Sequence, residues 1–187
     1  MPEYKKTPKF LLAHSMGGLV QLKTILSGDQ STFQFQILSS PMLGVAVKVP
    51  AYKDVAAQIL YNLLPQVTMG NEIQNEFLTR DSDVIAEYLR DTLRHNKISS
   101  GVYLGSLKSM EYVFNHIDKL KIPTFIQMAE QDPVVSSEKI KQLFDSMNGS
   151  IHQLKAYPNR RHELYNDIDR EEVFQDLRNF IQERLKK

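Results

Sequence analysis

The sequence predicts an α/β fold with a mostly parallel sheet flanked by helices, and three observations support this prediction. Short apolar runs bounded by turn residues occur at residues 10–13, 35–38 and 124–128, with a weaker run at 151–157. Such runs are typical of strands buried on both faces of a parallel sheet. Amphipathic helical patterns follow the strands, as expected for an alternating α/β chain. The third observation is that residues 42–118 interrupt this alternation with helical patterns alone.

The flanking helices are predicted from apolar residues that recur at helical spacing. One pattern ends at Gly28 and another before Gly149, and glycine is the residue that most often follows a helix. The last helix has Asp169 as a candidate N-cap with Glu172 three residues later. The apolar faces are Leu19, Val20, Leu22, Ile25 and Leu26; Ile140, Leu143, Phe144 and Met147; and Val173, Phe174, Leu177, Phe180, Ile181 and Leu185.

The central segment, residues 42–118, predicts a helical cap (lid) inserted into a core made of residues 1–41 and 119–187. Helical patterns occur around residues 52–64, 84–94 and 107–116, with no convincing strand between them. The segment opens with Met42, Leu43 and Val45, directly after a strand end, where open α/β sheets bind ligands. These three are candidate substrate-binding residues, although core packing is the simpler interpretation of any one of them.

The amino-acid composition excludes several classes of function. The 187 residues are 42% hydrophobic and 24% charged, which fits one soluble globular domain. The formal net charge of +1 implies no broad attraction to nucleic acid, so nucleic acid is not an expected partner. The absence of cysteine excludes disulfides and thiolate catalysis. No run approaches the ~18 apolar residues that span a bilayer, and we expect a cytoplasmic or peripheral membrane protein.

Ser15 has the sequence context of a nucleophile elbow. It lies in Ala-His-Ser-Met-Gly between an apolar strand and an amphipathic helix, where a sharp turn exposes the serine oxygen at the carboxyl edge of the sheet. Ala13 and Gly17 flank it by two residues, and we expect larger side chains there to clash with the turn. A purely structural Ser-Gly-Gly turn is the alternative. Acid and base partners downstream favour the catalytic interpretation.

Asp132 and His162 are those partners. Asp132 lies in the loop after the strand at residues 124–128, and His162 lies in the loop after residues 151–157. All three side chains should therefore meet at one edge of the sheet, in the chain order serine, acid, histidine. His162 would take the proton of Ser15, while Asp132 would orient the imidazole and stabilise its charged form.

Other titratable residues are weaker candidates. His14 is expected to point away from the serine and to pack, while His95 and His116 belong to the cap and His152 starts a strand. Asp118 precedes its strand and would lie at the opposite edge, so Glu130 is the remaining alternative for the acid. No group has metal-ligand spacing, because Asn166 stands where a second histidine would follow His162 at helical spacing. Neither a metal nor another cofactor is expected.

Taken together, the motifs resemble the monoacylglycerol lipase-like serine hydrolases, and in particular their bacterial lysophospholipase branch. The resemblance covers nearly the whole chain and rests on residues 14–18, 40–44, 78–81, 91–99, 132–135 and 161–164. It implies that Ser15 is the nucleophile, Asp132 the acid and His162 the base, with the Met16 backbone N–H in the oxyanion hole. It also implies that the cap forms an acyl-chain channel and that a fatty-acyl ester is hydrolysed through an acyl-enzyme.

The resemblance further identifies the chain as the C-terminal portion of an α/β-hydrolase, because members of the family place several strands and helices before the elbow. The His-Gly loop that supplies their second oxyanion donor is not found in this sequence. Loss of one such donor lowers turnover about a hundred- to thousandfold. The strand at residues 9–13 would become a sheet edge, so we expect self-association or pairing with another chain.

Three functions remain open on this basis. The leading one is hydrolysis of lysophospholipid or monoacylglycerol esters, with a lipid ester as substrate and transient contact with a membrane surface. The second is a carboxylesterase, thioesterase or peptidase on the same scaffold. The third is not catalytic: the chain is an inert fragment, or a binding partner that adds to another sheet through its exposed edge.

Overall fold

A computed structural model describes residues 7–186, except for the side chains of Asp54 and Asn62. Its strands are β1 (Phe10–His14), β2 (Phe35–Ser39), β3 (Thr68–Gly70), β4 (Lys97–Ser99), β5 (Thr124–Ala129) and β6 (Gln153–Tyr157). Its helices are α1 (Met16–Ser27), α2 (Ala51–Leu63), α3 (Asn75–Leu78), α4 (Ser82–Arg90), α5 (Ser100–His116), α6 (Ser137–Asp145) and α7 (Arg170–Leu185).

Four strands form a single parallel sheet in the order β1-β2-β5-β6. This arrangement confirms the predicted α/β class and all four predicted strands, although β6 begins at Gln153 rather than at residue 151. Because the strands are parallel, the carboxyl ends of β1, β5 and β6 lie at the same edge. Every residue of β2 and β5 is buried, as their continuous apolar patterns predict.

Helices cover both faces of the sheet. On one face, Phe35 and Phe125 pack against Phe180 of α7. The opposite face belongs to the main core, where Leu38 and Ile126 lie in one cluster with α1 and α6. Within β1, Phe10 stacks on Phe35 at a ring-centroid distance of 4.7 Å, yet α7 leaves it partly exposed.

Strand β1 lies at an edge of the sheet and pairs with β2 alone among residues 7–186. The expected edge position is therefore confirmed. Self-association through this edge stays a prediction.

Some details of the helix predictions are wrong. Val20 is 58% exposed and Leu185 is 46% exposed, although the patterns place them on the apolar faces of α1 and α7. Asp169 takes the N-cap position of α7 but does not cap it, because its backbone is left-handed (φ 59°) and its carboxylate accepts a 2.9 Å hydrogen bond from Arg160. Turn geometry and a competing arginine thus override the capping pattern at Asp169.

The central segment contains more than helices. Strands β3 and β4 pair antiparallel and α3 forms a single turn, and none of these was predicted. Three-residue strands are too short to show an alternating pattern, which explains the error. Helix α5 begins earlier than predicted, at Ser100, because the Ser99 side chain accepts a 3.2 Å bond from the N–H of Val102. Its second half enters the main core through buried Met110 and Val113.

Within residues 7–186, no helix is both long and apolar enough to cross a bilayer.

Candidate active site

Ser15 occupies a strained turn between β1 and α1. Its φ of 52° and ψ of −124° are unfavourable for a residue with a side chain, at a cost of about 1–3 kcal/mol. Two backbone bonds hold the turn against β2: Ser15 N–H donates to Ser39 at 2.9 Å, and Ser15 C=O accepts from Met42 N–H at 3.0 Å. The predicted sharp strand-to-helix turn is therefore present, and it projects the serine from the carboxyl edge of the sheet.

Beside the turn, the glycine position without room for a Cβ is Gly18. A Cβ built at Gly17 would lie 3.7 Å from the Cβ of Ala13, which is an ordinary contact. A Cβ at Gly18 would lie 2.9 Å from the Cβ of Pro41, closer than real side chains approach. The start of α1 is thus pressed against the segment that follows β2.

The structure brings the three predicted residues together. His162 Nε2 lies 2.8 Å from Ser15 Oγ, and His162 Nδ1 lies 2.8 Å from Asp132 Oδ2. Asp132 and His162 are both buried. With the ring proton on Nδ1, His162 donates to the carboxylate and accepts from the serine hydroxyl. This tautomer allows Nε2 to receive the hydroxyl proton.

The second oxygen of Asp132 organises the backbone. Asp132 Oδ1 accepts hydrogen bonds from Val134 N–H at 2.8 Å and from Val135 N–H at 3.1 Å. The same segment bonds to residues after β2, since Ala46 N–H donates to Val134 C=O at 3.0 Å. One carboxylate therefore orients His162 and also fixes a wall beside Ser15.

His14 is part of the site wall, contrary to the prediction that it points away. Its ring lies 4.7 Å from that of His162 between centroids, and its Nδ1 lies 3.2 Å from Ser39 Oγ. Strand alternation fails here because the chain turns at Ser15. Burial, followed by the nearby His162 ring, lowers the pKa of His14 to about 4. At neutral pH His14 is uncharged, so it does not repel a positive charge on His162.

The other rejected candidates lie elsewhere, with one exception. Glu130 forms an exposed ion pair with Lys141, and Asp118 belongs to a 3-10 turn before β5. His116 stacks on Tyr112. The exception is His95, which lines the space beside Ser15 although it was expected to be structural or solvated. Because His95 is far from Ser15 in sequence, no local pattern predicts this placement.

Two cavities meet at Ser15. One of about 510 Å³ is largely apolar, and it is lined by Met42 and Val45, two of the three candidate substrate-binding residues. Leu43 does not line it: this residue is buried in the main core, so the prediction of a substrate contact is wrong for Leu43. The chain bends after β2, which turns the side chain of Leu43 inward between two cavity residues.

The second cavity, of about 470 Å³, is the more polar of the two. Besides Ser15 and His162, its lining includes the charged side chains of Asp91, Arg94 and Glu163. Arg94 lies over the ring of Tyr88 at 3.7 Å, and the Tyr88 hydroxyl donates to Glu163. Burial raises the pKa of Tyr88 to about 12. In the described part of the chain, no group of three His, Asp or Glu side chains could hold a metal ion.

A family model described as "Serine aminopeptidase, S33" matches residues 1–169. The chain belongs to this family. The chain is 30% identical over 174 residues to phospholipase YtpA of Bacillus subtilis. The alignment covers 92% of the chain and 67% of that protein. The chain is also 27% identical over 171 residues to monoglyceride lipase of Mus musculus, covering 89% of the chain and 55% of that protein.

Solved structures show that this family member has the α/β-hydrolase fold. Paleococcus ferrophilus monoacylglycerol lipase superposes with a TM-score of 0.86 at 22% identity, covering 98% of the chain and 70% of that structure. The family match and the named relatives confirm the resemblance to monoacylglycerol lipase-like hydrolases. A 29% identical abhydrolase domain-containing protein of Dictyostelium discoideum matches 95% of the chain, which covers 19% of that protein. The chain thus spans between 19% and 67% of the length of these curated relatives.

The contact between Gly18 and Pro41 gives a test of the elbow with a matched control. We expect Gly18→Ala to lower the free energy of unfolding by about 1–3 kcal/mol, because the new Cβ overlaps Pro41. Gly17→Ala lies in the same helix turn without an overlap, and should be neutral or stabilising by up to about 1 kcal/mol. Urea unfolding of both variants measures the difference. Equal stabilities would show that the close approach does not constrain the elbow.

Proposed function

We propose that this chain provides the nucleophile, base and acid of a serine ester hydrolase that cleaves fatty-acyl esters of lysophospholipids or monoacylglycerols. The observation that carries the proposal is the continuous hydrogen-bond chain from Ser15 through His162 to Asp132. A strained elbow positions the serine, and the buried carboxylate fixes the histidine tautomer. This combination has no evident structural purpose, since the turn costs stability.

The reaction would proceed in two steps. Ser15 Oγ attacks the ester carbonyl carbon while its proton passes to His162 Nε2. The resulting C–O cleavage releases the alcohol, which receives that proton, and leaves the acyl group on Ser15. Water then attacks the acyl-enzyme, again giving a proton to His162, and the fatty acid leaves as Ser15 regains its hydrogen. Asp132 remains a carboxylate throughout and stabilises the imidazolium.

The backbone N–H of Met16 would donate to the developing oxyanion. Met16 is the first residue of α1, so its N–H has no acceptor within the helix. The positive end of the helix dipole lies at the same place and favours negative charge there.

The two cavities suggest how an ester substrate would be oriented at Ser15. The apolar cavity would hold the acyl chain along Met42 and Val45, and the more polar cavity would hold the alcohol part beside His162. The names of the relatives point to the same substrates, since phospholipases and monoglyceride lipases both act on lipid esters.

Helix α2 presents an apolar stripe that would serve contact with a membrane or lipid aggregate. Tyr52, Val55, Ile59 and Leu63 lie three or four residues apart, and each is between 57% and 71% exposed. Residues at this spacing share one helix face. Lys53 of the same helix lines the apolar cavity, so the helix that carries the stripe borders the proposed acyl site.

A fluorophosphonate probe tests the nucleophile. We expect one covalent adduct per chain, detected by intact mass, with no adduct in Ser15→Ala. Asp132→Asn should retain the serine but react about 10⁴-fold more slowly, because the wrong tautomer is favoured. Circular dichroism confirms that the variants are folded. Undiminished labelling in Ser15→Ala, or no labelling of the folded wild-type chain, would contradict the proposal.

A blocked cavity tests the acyl site. Val45→Phe should slow labelling by phosphonates with long alkyl chains about tenfold or more, while phosphonates with short chains react at the wild-type rate. The added ring fills space that only the long chain requires. Val20→Phe, which adds the same volume to an exposed site outside both cavities, serves as control. A uniform preference for short chains in the wild type would favour the carboxylesterase or peptidase alternative.

Vesicle binding tests the stripe on α2. Co-flotation with phosphatidylcholine vesicles should fall several-fold in Ile59→Glu, because a carboxylate on this face resists transfer into the lipid interface. Leu93→Glu changes a leucine outside α2 that is even more exposed, and should bind as the wild type does. Equal losses in both variants would speak against a specific membrane-facing helix.

A further inference from the structure

The loop that carries His162 is bound to the cap through backbone hydrogen bonds. His162 N–H donates to Phe77 C=O at 3.3 Å, and Glu163 N–H donates to Leu78 C=O at 2.8 Å. Phe77 and Leu78 end α3, a single helical turn within the central segment. The base of the triad therefore has its own backbone attached to the cap and not only to the sheet.

The buried carboxylate of Asp167 accepts hydrogen bonds from both sides of this contact. Its Oδ1 accepts from Arg80 N–H at 2.8 Å, and its Oδ2 accepts from Arg80 Nε at 3.0 Å and from Arg161 N–H at 2.8 Å. The Asp167 side chain is completely buried, whereas that of Arg80 is 27% exposed. A buried carboxylate is stable only with such donors, so its position is closely determined by them.

Arg161 directly precedes His162, which makes the bond from its N–H to Asp167 significant. The N–H groups of Arg161 and His162 both donate to fixed acceptors. The backbone between them therefore has little freedom to rotate. The orientation of the imidazole between Ser15 and Asp132 depends on that backbone.

We propose that Asp167 and Arg80 are positioning residues: they hold the His162 loop on the cap so that the imidazole stays in hydrogen-bond reach of Ser15. This inference rests on the proposed function. It gives the cap a role in assembling the triad, beyond any role in forming the cavities. Residues 78–81 supply part of the resemblance to known hydrolases, and the inference assigns a physical task to Arg80 among them.

A purely structural tether is the competing explanation, and a neighbouring ion pair provides the control. Arg170 of α7 and Asp81 of the cap form a neighbouring ion pair at 3.1 Å, but this pair is more exposed and neither side chain bonds to the backbone beside His162. Arg170→Gln therefore removes a link between the cap and α7 without freeing the His162 loop.

The experiment compares Arg80→Lys, Asp167→Asn and Arg170→Gln in the full chain. Arg80→Lys retains the charge but loses the forked guanidinium, so it should remain folded. We expect fluorophosphonate labelling of Ser15 to slow about ten- to hundredfold in Arg80→Lys and further in Asp167→Asn, since small misplacements of a catalytic group cost this much. Arg170→Gln should react at the wild-type rate. Thermal melting measures how far each variant is destabilised.

Proton NMR separates the positioning role from both stability and the proposed function. The imidazole proton shared by His162 and Asp132 should give a far-downfield signal in the wild type, assigned by its loss in Asp132→Asn. The signal should persist in Arg170→Gln and be lost or shifted in folded Arg80→Lys. An unchanged signal and labelling rate in folded Arg80→Lys would overturn the inference, as would absence of the signal in the wild type. A signal that responds as expected in an unlabelled wild type would support the positioning role while refuting the proposed hydrolase.

Discussion

Parallel strand pairing is the constraint on which the rest of the structure depends. It places the ends of β1, β5 and β6 at one edge of the sheet, so that the loops after them meet although they are far apart in sequence. Ser15 and His162 are separated by 147 positions and still lie within one hydrogen bond. An antiparallel strand in this series would carry its loop to the opposite edge and break the contact.

Asp132 shows how a single group serves both chemistry and architecture. One oxygen holds His162, while the other gathers the N–H groups of Val134 and Val135. Both valines line the apolar cavity beside Ser15. Because both functions share one carboxylate, the position of the imidazole and the shape of the cavity wall are physically linked.

The sequence was sufficient to predict those site residues that lie next to a recognisable local pattern. Ser15, Asp132 and His162 each follow a recognisable strand, and strand order placed them at one edge. His14 and His95 were misjudged because their positions depend on the turn at Ser15 and on the packing of the central segment. The bond between Arg80 and Asp167 joins residues 87 positions apart, and no periodicity reports such a contact. Short elements such as β3 and α3 failed for a related reason, since they contain too few residues to form a pattern.

The close approach of Gly18 to Pro41 has an evolutionary consequence. The two positions belong to different elements, yet their backbones and side chains compete for the same small volume. A gain of volume at either position is tolerable only if the other loses volume or moves away. The two sites should therefore show epistasis, so that the residues allowed at one depend on the residue present at the other.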